Sequence, residues 1–262
     1  MVFDGMTGDC LKVELRAGNV YTSRNVVSFL GPVLSRYKKE FPLNYRIVRG
    51  DSGFAHKELY KLCETLDTKY LIRLKANATL YRLAQEVTGD LLADCSLQYS
   101  QQLYGEFDYQ AKSWDRPRRV IVQVRRKAGE LIPDYLFLVT NMETRPEMVI
   151  SLYAKRGTME NYIKECKNGF RMDKVSHKHW MTNVNRIQLM VLAYNLINGF
   201  RRLTLPHEFS KMQIETLRIK LIKIAAKRVK QSRRILFKLC SHHPYKEVFH
   251  HCLKTIQAIQ LE

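Results

Sequence analysis

The stretch "YAKRGTMENYIKECKNGF", residues 153–170, decides how the rest of this chain is read. Laid on an α-helix at about 100° per residue, Arg156, Glu160 and Lys167 fall within roughly 60° of Tyr153, in a stripe about 21 Å long. A tyrosine, two cations and one carboxylate then share a face. Spacing alone also fits a solvated helix carrying weak pairs, and Arg156 with Glu160 is such an i,i+4 pair. Gly157 lowers helix propensity by about 1 kcal/mol relative to Ala, so the helix can begin only after it. Independent support has to come from the flanking sequence.

Working outward toward the N-terminus, the elements alternate. "MVFDGMTGDCLKVELRAG" gives a strand end (1–3), a Gly/Asp-rich turn from Asp4 to Asp9 and a strand from Cys10 to Arg16, together a β-hairpin. "SRNVVSFLGPVLSRYKKE" predicts a helix capped by Ser23, despite Pro32. The run "YRIVRGDSGF" predicts a strand over Tyr45–Val48 that breaks at Gly50-Asp51-Ser52-Gly53. Asp51 therefore stands at the carboxyl end of a strand, where α/β folds place their chemistry. A helix (about 55–66), the strand "TKYLIRL" (68–74) and a helix (about 79–87) continue the alternation. From about 95 to 140 strand character dominates, clearest in "RRVIVQVRR" (118–126) and "DYLFLVTN" (134–141), which predicts an inserted β-region. Beyond about 145 the pattern is helical except near Leu236.

The chain has 262 residues, with 44 Lys/Arg against 25 Asp/Glu, a net charge of +19 and a pI near 9.7. An extended polyanion is the natural partner, nucleic acid above all. Lys220, Lys223, Lys227, Lys230 and Arg234 recur at spacings of 3 and 4 opposite Ile214, Leu217, Leu221 and Ala225, which on a helix makes one basic ridge; a solvated face is the plain alternative. Residues 201–238 hold 12 Lys/Arg and two acidic residues, Glu208 and Glu215, about half of the whole chain's excess. The ridge is the leading candidate for phosphate-backbone contact.

Six cysteines (10, 63, 95, 166, 240 and 252) form no CxxC pair, which fits a reducing compartment and neither a disulfide framework nor a zinc ribbon. "CSHHPYKEVFHHC" (240–252) has ligand types that suit zinc, but its spacing matches no finger, and a polar helix–turn–helix corner reads better. No signal peptide opens the chain. The longest apolar tract, "IQLMVLAYNLINGF" (187–200), is too short and too polar to span a bilayer, so it reads as a buried helix and the protein as cytoplasmic, with no membrane partner.

This order of hairpin, helix, strand ending in Asp, helix, β-insertion and helix carrying Glu160 resembles the catalytic core of DDE transposases from bacterial insertion sequences. It resembles in particular the subgroup whose last acidic residue lies in a Y-x2-R-x3-E-x6-K motif, matched here at Tyr153, Arg156, Glu160 and Lys167. "VFDGMTGD", "LRAGNV", "RGDSGF", "YLIRLKAN" and "LAYNL" look like one branch of that family, and the likeness runs over nearly all of the chain. The resemblance implies an α/β, RNase H-like core with an inserted β-region and a helical C-terminal part. It divides as residues 1–94 (first part of the core), 95–144 (β-insertion), 145–204 (core completion with the motif helix) and 205–262 (basic helical region).

The resemblance also implies DNA cleavage and strand transfer with two Mg²⁺ or Mn²⁺ ions, hard cations that take carboxylate ligands. Asp51 and Glu160 would supply two of the three carboxylates, and Tyr153, Arg156 and Lys167 would contact phosphates. Trp114, in "AKSWDRPRRV", would hold a flipped base, with packing inside the β-region as its alternative use. Element ends and target DNA would be the partners, with a second copy of the chain on DNA, in a nucleoid-associated cytoplasmic location. In the family a strand bearing the first catalytic Asp precedes the "VFDG" hairpin, whereas here "VFDG" follows Met1 directly. The expectation is a chain lacking that Asp and its central strand, inactive by itself. Asp4 and Asp9, in the hairpin turn, are expected at the wrong end of the sheet to replace it. A non-catalytic DNA-binding protein derived from a transposase and a two-carboxylate nuclease are the competing readings.

Overall fold

The computed structural model describes residues 1–21, 23–89 and 98–260, so the expected boundary at 94–95 lies outside the described residues. The chain divides into two compact units, one of Arg16–Gly157 and one joining Met1–Leu15 to Thr158–Glu262. In the second, β1 (Val2–Phe3) and β2 (Cys10–Lys12) form the expected antiparallel hairpin, with the second strand shorter than its alternation suggested. Its turn is tied by Asp4, whose Oδ1 accepts from the Met6 and Thr7 amides at 2.6 and 3.0 Å. Gly8 holds φ near +77° beneath the Tyr162 ring, a place and conformation that a Cβ would not tolerate.

The Arg16–Gly157 unit runs α1 (Val26–Glu40, with Pro32 inside it), β3 (Ile47–Gly50), α2 (Lys57–Thr65), β4 (Lys69–Leu74), α3 (Ala78–Thr88), β5 (Gln101–Tyr109), β6 (Arg118–Arg126), β7 (Asp134–Thr140) and α4 (Pro146–Ala154). Its five strands make one mixed sheet in the order β3-β4-β7-β6-β5. β3 and β4 are parallel and the other three pairings antiparallel. The strands expected as an insertion are thus hydrogen-bonded into the sheet that carries β3, through β7 against β4 with Leu71 opposite Thr140. The Val-Ile-Val run of β6 is buried throughout, as a central strand covered on both faces requires. On one face Val149, Ile150 and Tyr153 of α4 pack on Leu71, Ile121 and Leu138. Elsewhere in the unit Tyr60 of α2 stacks on Tyr70 of β4, ring centroids 5.0 Å apart.

A buried charge network joins α2 to the start of β6. Arg118, its side chain almost enclosed, bonds Glu64 (Nε to Oε1, 3.2 Å) and Asp115 (3.1 Å) while its guanidinium lies over the Tyr60 and Trp114 rings. Desolvation works against its charge, and the hydrogen bonds it donates to Glu64 and Asp115 outweigh it, lifting its pKa above the ordinary arginine value.

The other unit continues through α5 (Gly157–Phe170, all but its first residue), α6 (Trp180–Thr204), α7 (Ile214–Leu217), β8 (Ala226–Gln231), β9 (Arg234–Leu239) and α8 (Lys246–Ala258). α6 holds the hairpin: Asn195 accepts from the Cys10 amide at 2.8 Å and donates to its carbonyl at 3.0 Å, while Tyr194 and Asn198 both donate to the Gly8 carbonyl. Burial pushes the Cys10 thiol up to about 11 and the Cys166 thiol up to about 12, so both serve as neutral packing groups. Glu165 of α5 pairs with Arg201 of α6 and accepts the Ile214 amide at 2.8 Å, capping α7 from outside.

Two expectations are corrected here. Residues 153–170 do not form one helix: α4 ends at Ala154, the Arg156 amide turns back to the Tyr153 carbonyl at 2.8 Å, and α5 starts at Gly157. The break falls at Lys155 and Arg156, just ahead of the glycine that opens α5. The basic region after Leu217 is not one helix either. A short π turn over Arg218–Ile222 gives way to the antiparallel ribbon β8–β9, turned at Ser232 with φ near +45°. The β-branched and aromatic "ILF" run favours strand, and a tight turn with positive φ suits a two-stranded ribbon.

Candidate active site

Asp51 follows the last residue of β3, at the strand's carboxyl end, and caps the 3-10 turn Ser52–Phe54 by accepting from the Gly53 amide at 3.0 Å. Gly50 precedes it where a Cβ would crowd Ile72 Cδ1 at 3.0 Å and Phe54 Cβ at 3.3 Å, which is what lets the turn fold back on the strand. The second carboxylate oxygen of Asp51 accepts from Arg156 Nη2 at 3.2 Å. Arg49, also on β3, donates to the Leu152 carbonyl at 3.0 Å and ties the strand to the end of α4. Two residues 105 positions apart, singled out independently from the sequence, thus meet inside one unit. The Asp51 side chain is 46% exposed and that of Arg156 20%, an arrangement open to solvent on the carboxylate side.

The other motif residues fall differently. Tyr153 is 8% exposed, its ring in the core with Leu71 and Val149, so it anchors the end of α4 that carries Arg156 instead of facing outward. Glu160 lies in the first turn of α5 and Lys167 in its last, both exposed, in the other unit. Trp114 is 7% exposed and boxed edge-on by Tyr60 and Tyr109, at 5.3 and 5.5 Å between centroids, with Arg118 over its ring. In this structure its aromatic surface is taken up by packing, the alternative use given for it above.

Of the basic ridge, Lys220 lies over the Tyr245 ring at 4.5 Å and Lys223 ends the π turn. Lys227 and Lys230 stand on β8 and Arg234 on β9. Arg228 on β8, Lys238 on β9 and Arg233 in the turn between them join these cations on the ribbon. Asn195 and Asn141 were passed over as side chains that complete backbone pairing; Asn141 accepts from the Tyr70 amide and donates to the Thr68 carbonyl.

Each carboxylate oxygen accepts two hydrogen bonds or ligand contacts, so Asp51 keeps acceptor capacity beyond Gly53 and Arg156, and its hard oxygens suit a divalent cation as one ligand. Among the described residues, no group of three or more His, Cys, Asp or Glu side chains gathers to hold a metal, the residues 240–252 included. Among the described residues, no helix is long and apolar enough to cross a membrane.

A mixed α/β sheet with an aspartate at a strand end and a cation on that aspartate thus stands in a chain of net charge +19. Over residues 1–261 the chain matches the family described as Transposase DDE domain group 1, and it belongs to that family. No curated protein matches it. The family consists of DNA-cleaving transposases, DNA is the partner it implies, and its members generally use divalent metals.

Proposed function

We propose that this chain is an insertion-sequence transposase with an RNase H-like core, in which Asp51 and Glu160 are carboxylate ligands of two divalent ions and Arg156 and Lys167 hold the phosphates of the cleaved strand. The observation that carries the proposal is the 3.2 Å bond between Arg156 and Asp51. Asp51 and Glu160 would hold Mg²⁺ or Mn²⁺, which would supply activation of the attacking oxygen and stabilisation of the leaving one. The residues of the chain supply the setting. Arg156 carries a planar guanidinium whose fork geometry suits carboxylate and phosphate oxygens alike, and it already stands on Asp51 through Nη2. Tyr153, buried, fixes the helix end from which Arg156 extends, and Lys167 adds a point charge for the backbone.

The test uses labelled duplexes carrying the ends of the DNA segment that encodes the chain, incubated with the full chain and Mg²⁺ or Mn²⁺. The wild-type chain should cut or join them, against the expectation of inactivity drawn from the sequence, and Asp51→Asn or Glu160→Gln should abolish the reaction with folding unchanged by circular dichroism. Arg156→Ala should slow it by about 10²-fold, the usual loss on removing one charge-stabilising donor. Turnover by Asp51→Asn at the wild-type rate would overturn the assignment.

A further inference from the structure

The β8–β9 ribbon is exposed along most of both faces. Its strands are six residues each and all but one of the twelve are exposed, Val229 being half-buried. A two-stranded ribbon with neither face covered is marginal in water. Residues 226–239 hold six Lys/Arg and no acidic residue, and among the described residues no carboxylate pairs with any of those six. The register places Lys227 directly opposite Lys238, a like-charge cross-strand pair that destabilises an isolated ribbon. Arg234 stands on the same face. Arg228 and Lys230 occupy the opposite face beside Ile235 and Phe237, the latter 68% exposed. Cations on both faces and at the turn suit a partner with phosphates on two sides.

We infer that this ribbon enters the major groove of duplex DNA, its two faces meeting the phosphate walls and its turn leading. The ribbon is about 20 Å long at 3.3 Å per residue, and the major groove, about 12 Å wide, admits a two-stranded β-ribbon. Binding neutralises the Lys227/Lys238 repulsion and so orders the element that recognises the groove. This rests on the reading of the chain as a protein that acts on DNA, and adds where and in what geometry it grips the duplex.

The experiment measures duplex affinity of the full chain by fluorescence anisotropy over a range of salt, without divalent metal, together with dimethyl sulfate protection of guanine N7, a major-groove atom. The triple change Lys227→Ala, Arg234→Ala, Lys238→Ala should flatten the slope of log K against log salt by about 2–3 and remove N7 protection. The corresponding exchanges Lys227→Arg, Arg234→Lys and Lys238→Arg should keep both. An unchanged slope, or protection that survives the triple change, overturns the ribbon contact. So does a metal-free dimer in sedimentation that Phe237→Ser dissociates while the salt slope stays, since the ribbon then binds a second copy. The cleavage test of Asp51→Asn is read on separate products, so either result leaves the other standing.

Discussion

Asn195 offers a strand what a neighbouring strand would offer. Its amide satisfies both the N–H and the C=O of Cys10, and Asn141 does the same for the start of β4 through Tyr70 and Thr68. A buried backbone group left unpaired costs about 1–3 kcal/mol. Asn195→Leu should therefore lower stability by about 2–4 kcal/mol, measured as the denaturant midpoint at constant slope, and a loss below about 0.5 kcal/mol would show that water replaces the amide. Arg156 follows a different logic at the same scale. Its partner Asp51 is nearly half exposed, and such pairs contribute about 0–1 kcal/mol, so the pair is placed for chemistry and adds little to stability. The residue type and spacing of Asn195 and Arg156 were visible in "LAYNL" and "YAKRGTME", but their partners, 185 and 105 residues away, were not.

Among the elements, α5 and α7 approach closely at Gly169. A Cβ on Gly169 would overlap the Ile214 Cγ2 methyl, and Ile214 is held by burial and by the hydrogen bond its amide donates to the Glu165 carboxylate. Helix propensity alone makes Gly169→Ala stabilising by about 1 kcal/mol; overpacking costs about 1–3 kcal/mol. The second effect should win, with a net loss of about 1–2 kcal/mol that disappears when Ile214→Ala is present too. Equilibrium unfolding of the two single variants and the double variant closes that cycle, and a stabilised Gly169→Ala protein would refute the contact. The same scale explains why the basic ridge dissolved. Spacings of 3 and 4 among lysines fit a helix, yet nothing apolar covers the far side after Leu221, and Ala225 is exposed. Without a buried face, strand propensity and a tight turn decide.

For the whole molecule the dominant quantity is charge. A net +19 draws the chain to DNA whatever the fate of catalysis. With about five phosphate contacts the slope of log K against log salt is about −4 to −5, so raising salt fourfold should weaken duplex binding by roughly 250- to 1000-fold. Chelation of divalent ions by EDTA should leave that affinity unchanged, within about twofold at fixed ionic strength, because counterion release needs no divalent ion, and should abolish cleavage of element ends. Cleavage that persists in EDTA would remove the divalent ions from the mechanism.

The sequence alone determined the α/β alternation, the strand ending at Asp51, the sheet strands at 118–126 and 134–140, and the polyanion partner, because hydrophobic period, glycine breaks and charge are local properties of the chain. The motif spacing singled out Arg156, and the strand end at Gly50-Asp51 singled out Asp51, without saying that the two touch. Tertiary structure decided the rest: that Tyr153 and Trp114 are packed away, that β5–β7 extend the sheet carrying Asp51, and that the lysines after Leu221 form a ribbon. Each of these depends on which surface buries against which, and burial is settled by residues distant in sequence.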